Sequence, residues 1–380
     1  MELTCYDSVH SFEFAKGNKL LLVTRYSLLI TLSVVVLNTK QQEIFIFKND
    51  LHLNKIWNML KSSHYLPPTS ATWQGRDDTI DGRLFQQIQW LDCNQLPSSL
   101  PKQSVALLGF SCDEGVRRNL GRPGAAQGPE ALRKALANLP LSLSSSRHFW
   151  DAGTVLCTDQ DLEQAQELLG KTVAALHERE AFVIVLGGGH EVAWGNFQGL
   201  AASSKTTSLD ILNFDAHFDL RPLLPEKRGS SGTSFHQMHQ YCKAQNITSR
   251  YACFGLQPFG NTKGLFETAK NINATHCLAE TMIHHPQLAH EALGTWLASA
   301  EAIHLTLCLD IFAAAHAPGV SSPQALGISP HELLPFFRQA LESGKVIGFD
   351  IAELNPTYDR DGQTAKLAAH FVGEVMTKIQ

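Results

Sequence analysis

FVIVLGGGHE, residues 182–191, is an apolar run of five that enters three glycines and then a histidine and a glutamate. A short apolar run closed by glycine reads as a strand buried on both faces of a parallel sheet. The same form recurs in SVALLGF (104–110), LDILNFD (209–215), YACFGL (251–256), IHLTLCLD (303–310) and KVIGFDI (345–351). Between these runs lie stretches with helical spacing: PEALRKALANL (129–139), DLEQAQELLGKTVAALHERE (161–180) and SPHELLPFFRQALESG (329–344). The last opens with Ser329, Pro330 and, three residues after the serine, Glu332, which predicts a capping box. Strands alternating with helices predict an α/β protein, a three-layer αβα sandwich around a mainly parallel sheet.

Working outward, the chain divides near PPTS (67–70). Residues 67–380 form the α/β domain, and residues 1–66 form an N-terminal extension. LLLVTRYSLLITLSVVVL (20–37) is the most apolar stretch, but Arg25 lies inside it. A membrane span needs roughly 20 residues with few charges. Val, Ile, Leu and Thr there, and EIFIF at 43–47, favour β-strands instead. The extension carries no site residue and Met59 lies within it as an alternative start, so residues 1–58 are expected to be dispensable for catalysis. Over all 380 residues the net charge is −5 and no Lys/Arg block occurs, which speaks against nucleic-acid binding. Eight cysteines without CxxC pairing read as a reduced, cytoplasmic chain.

In open parallel sheets ligands bind beyond the carboxyl ends of the strands. Those ends deliver His190 and Glu191; Asp215, His217 and Asp219; Cys308 and Asp310; and Glu353. Side chains two apart in an extended segment point the same way, so Asp215, His217 and Asp219 converge, as do Cys308 and Asp310. Carboxylates with imidazoles suit a Mn²⁺, Zn²⁺ or Fe²⁺ ion. So many donors exceed the needs of one tetrahedral ion, and two ions sharing a bridging carboxylate are the better count. The glycine run could instead cradle a phosphate, but it lacks both the GxGxxG pattern and a P-loop lysine.

GGGHE, DAHFD, the LxLD with APG (305–319) and DIAELNP together resemble the arginase–agmatinase–formimidoylglutamase family of dinuclear manganese ureohydrolases. NLGRPGAAQGPEALR (119–133) resembles that family's N-terminal signature. WQGRDD (73–78), DEGVRRNLGRPGA (113–125), DAHFDLR (215–221), SSGTSF (230–235) and APGVSSP (317–323) are most similar to its formimidoylglutamase branch. The resemblance runs from about Trp73 to the C-terminus. It implies hydrolysis of N-formimidoyl-L-glutamate to L-glutamate and formamide, a step of histidine degradation, by a metal-activated bridging water. It implies two Mn²⁺ per chain: one on His190 and Asp219, the other on His217 and Asp310, with Asp215 bridging. Cys308 stands at the second bridging position, an aspartate in the family, and admits other divalent ions. Glu353 would hold the cationic amidine, and Asp310 would take the water's proton. Ser231 falls on the substrate side.

Arg221, two residues after DAHFD, is expected at the pocket rim, where it would select the glutamate end of the substrate. The place of the arginase shuttle histidine holds Phe235, with His236 beside it as a loop residue. His239, His284 and His285 read as surface residues. A small molecule is the expected partner, and the sequence leaves a homo-oligomer open. Two other readings remain: another ureohydrolase acting on agmatine, guanidinobutyrate or arginine, and a metal-binding pseudoenzyme silenced by Cys308.

Overall fold

The computed structural model describes residues 10–15, 19–25, 32–38, 43–48, 64–76, 82–140, 147–203 and 207–379. The chain divides into two compact units, Met1–Ser63 and His64–Gln380. In the first, β1 (His10–Ala15), β2 (Lys19–Arg25), β3 (Leu32–Asn38) and β4 (Glu43–Lys48) pair in sequence order as an antiparallel sheet. The apolar stretch 20–37 therefore supplies two paired strands, with Leu20 opposite Leu37. Among the described residues no helix is long and apolar enough to cross a membrane.

The second unit holds β5 (Tyr65–Leu66), β6 (Gln89–Trp90), β7 (Ser104–Ser111), β8 (His148–Leu156), β9 (Phe182–Leu186), β10 (Asp210–Phe214), β11 (Tyr251–Leu256), β12 (Thr275–Leu278), β13 (Ile303–Cys308) and β14 (Val346–Ala352). Their order across the sheet is β12-β11-β10-β13-β14-β9-β7-β8-β5, with β6 also on β8. Every pairing is parallel except β5 with β8. Tyr65 and Leu66, assigned from sequence to the extension, pair with Val155 and Thr154 of this larger sheet. All six strands expected from sequence form. β8 was not expected, because Asp151 and Gly153 interrupt its apolar character. Asp151 is buried and satisfied there by Arg133 Nη2 at 2.8 Å and Trp73 Nε1 at 2.6 Å.

Two groups of helices cover the sheet. Helices Leu162–His177, Val192–Ser203 and Ser234–Gln245 pack on one another, and Gly128–Ala137, Gln363–Lys378, Pro330–Glu342 and Pro286–Ala298 form the second group. The expected capping box is present: Ser329 Oγ accepts from Glu332 N, and Glu332 returns a carboxylate to Ser329 N at 2.7 Å. Under the second group Phe337 meets Phe214, Phe349 and Phe371, all fully buried. Truncating such a ring typically costs about 3–5 kcal/mol, so this cluster anchors the sheet's centre.

The strand order matters most for the site. β10, β13, β14 and β9 are consecutive neighbours at the centre of the sheet. Their carboxyl ends are where the sequence places its metal-type donors.

Candidate metal centre and substrate cavity

The loop after β9 must pass very close to its neighbours. A Cβ on Gly188 would lie 1.7 Å from the carbonyl oxygen of Cys112, and one on Gly189 would lie 2.1 Å from Glu191 Oε2. Close approach, not phosphate cradling, is what the three glycines serve. The loop delivers His190, whose N–H donates to Glu353 Oε1 at 2.9 Å. Glu353 in turn donates its own N–H to the carbonyl of Gly188 at 2.8 Å.

The six side chains expected to hold metal come to this place, whereas the Glu191 carboxylate turns away and accepts from Gly115 N at 2.9 Å. His190 Nδ1 lies 2.9 Å from Asp215 Oδ2 and 3.0 Å from Asp219 Oδ2. His217 Nδ1 lies 3.2 Å from Asp310 Oδ2 and 3.5 Å from Asp215 Oδ1. Donor atoms of His190, Asp215 and Cys308 lie within 4.8 Å of one another, as do those of Asp215, His217 and Asp310. Asp215 is thus common to both groups, between the two imidazoles. Two non-glycine residues adopt left-handed backbone here, Asp219 (φ 47°) and Glu353 (φ 71°). Such strain costs about 1–3 kcal/mol each and persists where surrounding contacts enforce it.

Buried acidic groups crowd the site. Burial pushes the Glu353 carboxyl up to about 7, with the charge of Asp310 adding to it. Burial and the neighbouring Asp215, Asp310 and Glu353 push the Cys308 thiol well above its ordinary value. Burial opposes ionisation of Asp215, but pairing with His190 and His217 overrides it and holds that carboxyl well below the usual range. His190 Nδ1 and Asp310 Oδ1 are both buried without an aligned hydrogen-bond partner. Two imidazoles, three aspartates and a thiol, with donor atoms left unsatisfied, fit a divalent-cation centre.

A cavity of about 620 Å³ opens onto these groups. His190, His217, Asp219, Cys308, Asp310 and Glu353 reach its lining, while Asp215 is buried beyond it. Arg221, exposed, and Ser231, buried, line the same cavity. His236 does not line it and is not the loop residue expected: it lies on the helix Ser234–Gln245, where its ring pairs with Gln240 at 2.8 Å. Phe235 is buried, stacked on Tyr251 and edge-on to His190 with ring centroids 5.3 Å apart. His284 and His285 are exposed, whereas His239 is half-buried.

Sequence reasoning assigned no role to several cavity residues. Asn119 donates to Ser231 Oγ at 3.1 Å, Arg122 grips the carbonyls of Val320 and Ser321, and Ser321 donates to Glu353 Oε2. All three positions fall inside the quoted NLGRPGA and APGVSSP segments. Their link is three-dimensional and has no spacing signal.

Central sheet and strand-end donors define an α/β protein with a candidate divalent-cation centre. The arginase family model matches residues 103–377, and the chain belongs to the arginase family. It is 42% identical over 316 residues to a formimidoylglutamase of Legionella pneumophila (strain Lens), covering 83% of this chain and 98% of that one. It is 40% identical over 327 residues to a formimidoylglutamase of Clostridium tetani, covering 83% and 96%. The fold is shared with the formimidoylglutamase of Bacillus subtilis (TM-score 0.70, 20% identity, 80% of this chain and 93% of that one). It is also shared with the Trypanosoma cruzi formiminoglutamase solved with Mn²⁺ (TM-score 0.65, 24% identity, 73% and 93%).

Proposed function

We propose that this chain hydrolyses N-formimidoyl-L-glutamate to L-glutamate and formamide, in the cytoplasm, as a step of histidine degradation. One observation carries the substrate choice. A single cavity has the carboxylate of Glu353 among its buried acidic groups and the guanidinium of Arg221 among its exposed ones. That polarity suits a molecule cationic at its amidine end and anionic at its glutamate end. Agmatine has no carboxylate for Arg221 to meet.

His190 and Asp219 would hold one Mn²⁺, His217 and Asp310 the other, with Asp215 and Cys308 shared. When bound, two such cations supply the charge that lowers the pKa of a water toward neutrality and makes it nucleophilic. Glu353 then holds the protonated amidine over the site by a charge-assisted contact. Asp310 Oδ1, buried without a partner, accepts the proton released in the attack and passes it to the departing glutamate nitrogen. The C–N bond breaks and formamide is left. Ser231, which accepts from Asn119 and lines the cavity, would contact the substrate.

Purified chain loaded with Mn²⁺ should release glutamate from N-formimidoyl-L-glutamate in preference to turning over agmatine, guanidinobutyrate or arginine. Preference for one of those substrates would replace the reading with another ureohydrolase. Retained metal without any turnover would favour the metal-binding pseudoenzyme.

Arg221→Ala should raise KM by about tenfold, because a lost charge-assisted contact costs about 1.5 kcal/mol or more. A guanidinium can hold a carboxylate with two parallel hydrogen bonds, so Arg221→Lys should recover only part of the loss. An unchanged KM removes Arg221 from recognition. The site residues all lie in the unit His64–Gln380, so a variant starting at Met59 should fold and turn over at the full-length rate. Insoluble or inactive protein from that variant would assign residues 1–58 a part in the catalytic unit.

Uptake of Mn²⁺ should strengthen as pH rises. Burial alone would lower the pKa of His190 and His217, but their aspartate partners outweigh it and raise both well above the ordinary imidazole value. The metal-free rings are therefore protonated at neutral pH, and a cation must expel those protons. Affinity should gain about tenfold per pH unit for each proton released. Mn²⁺ titrations followed by electron paramagnetic resonance between pH 6 and 8 would measure the slope, and a flat profile would contradict the protonated rings.

A further inference from the structure

We propose that Thr306 and Asp350 are positioning residues that fix the His190 ring so that Nδ1, and not Nε2, is the atom offered to the metal centre. The inference rests on the metal-centre reading above and deepens it. β13 alternates His304, Thr306 and Cys308 on one face, and Thr306 stands directly opposite Asp350 of β14 in the parallel register. The hydroxyl of Thr306 donates to Asp350 Oδ1 at 2.5 Å. A hydroxyl has one proton to give. Toward His190 Nε2, 2.9 Å away, Thr306 Oγ1 can therefore only accept. Nε2 must carry the hydrogen, which leaves Nδ1 as the lone-pair atom of the neutral ring.

The rest of the arrangement supports that orientation. Nδ1 faces Asp215 and Asp219 at 2.9 and 3.0 Å without an aligned hydrogen bond to either. Asp350 is fully buried and accepts from Asn196 Nδ2 at 2.8 Å and from His304 Nε2, besides Thr306. Burial opposes its ionisation, but His304, Asn196 and Thr306 together hold its carboxyl below the usual range. An anion one hydroxyl removed from Nε2–H polarises the imidazole and makes Nδ1 a stronger donor, as carboxylate partners do for metal-bound histidines. Phe235 edge-on to the ring, and the hydrogen bonds of Ser234 Oγ to His190 O and of His190 N to Glu353, keep it from turning.

The test measures metal, not turnover. Thr306→Val keeps the shape and removes the hydroxyl; it should weaken Mn²⁺ binding, read by electron paramagnetic resonance, by about 10–100-fold. Thr306→Ser restores the hydroxyl and should bind within a few-fold of the wild type, which a purely packing role for the residue would not produce. Asp350→Asn should fall between the two. In the Zn²⁺-loaded wild type, ¹⁵N nuclear magnetic resonance should find the His190 proton on Nε2. A Thr306→Val protein that binds Mn²⁺ like the wild type, or a proton on Nδ1, overturns the inference and leaves the metal centre intact. A wild type that takes up no Mn²⁺ overturns the metal centre and the inference with it.

Discussion

Cys308→Ala should lose bound metal and at least about 100-fold in turnover, since even the outer partners of metal ligands account for 10–100-fold. Cys308 is 1% exposed, and its sulfur shares one donor cluster with His190 and Asp215. A cysteine serving only as a small core residue would face apolar neighbours. This one faces Asp215, Asp310, Glu353 and Asp219, whose charges, added to burial, keep the metal-free thiol neutral. Cations in the site reverse that balance and favour the thiolate, the form that ligates. A thiolate is softer than a carboxylate and offers one donor atom where a carboxylate offers two. The site should accept Zn²⁺ or Fe²⁺ relative to Mn²⁺ more readily than an all-oxygen bridge would.

Three measurements separate ligand from filler. Cys308→Asp should keep two metals per chain and accept Mn²⁺ at least as well as the wild type. Co²⁺ loading should give a sulfur-to-metal charge-transfer band in the wild type that Cys308→Ala and Cys308→Asp both lack. Bound metal should protect Cys308 from alkylation, mapped by mass spectrometry against the neighbouring buried Cys253. If Cys308→Ala retains two metals and near-normal turnover, the sulfur is no ligand, and His190, Asp215, His217, Asp219 and Asp310 suffice.

The fold was legible because its central strands are buried on both faces and so appear as unbroken apolar runs. FVIVL and LDILNF give themselves away, whereas β8 breaks its run with a buried Asp151 that only tertiary contact with Arg133 and Trp73 can justify. β12 is four residues at the sheet's edge, too short for any period to register. Within the site, period-two spacing found Asp215, His217 and Asp219, and Cys308 with Asp310. The same alternation, followed backward along IHLTLCLD, leads to Thr306 and His304, polar residues in an otherwise apolar strand. What it cannot give is their partner. Asp350 meets Thr306 because β14 lies beside β13 in one particular register, and strand order is decided by crossovers rather than by local sequence. Arg122 holds the carbonyls of Val320 and Ser321, about 200 residues away along the chain, for the same reason.

Glu353→Gln should lower kcat/KM by about 100-fold or more while leaving Mn²⁺ uptake unchanged. Both carboxylate oxygens are engaged, one by the N–H of His190 at 2.9 Å and the other by the hydroxyl of Ser321. A glutamine can accept at one of those places only, and its amide brings no charge to the amidine. Removing one partner of a buried charge pair costs about 3 kcal/mol or more, which is the source of the 100-fold. The pH profile supplies the sign. In the metal-free protein burial, then the charge of Asp310, raises Glu353 to about 7, and only its ionised form attracts a protonated amidine. Cations on Asp310 cancel part of that elevation, so wild-type kcat/KM should fall on the acid side with a limb below 7. Glu353→Gln should lack that limb and show a low, flatter profile. A variant within threefold of the wild type at every pH would release Glu353 from substrate binding and return it to the role its short contacts also permit, a brace between the His190 loop and Ser321.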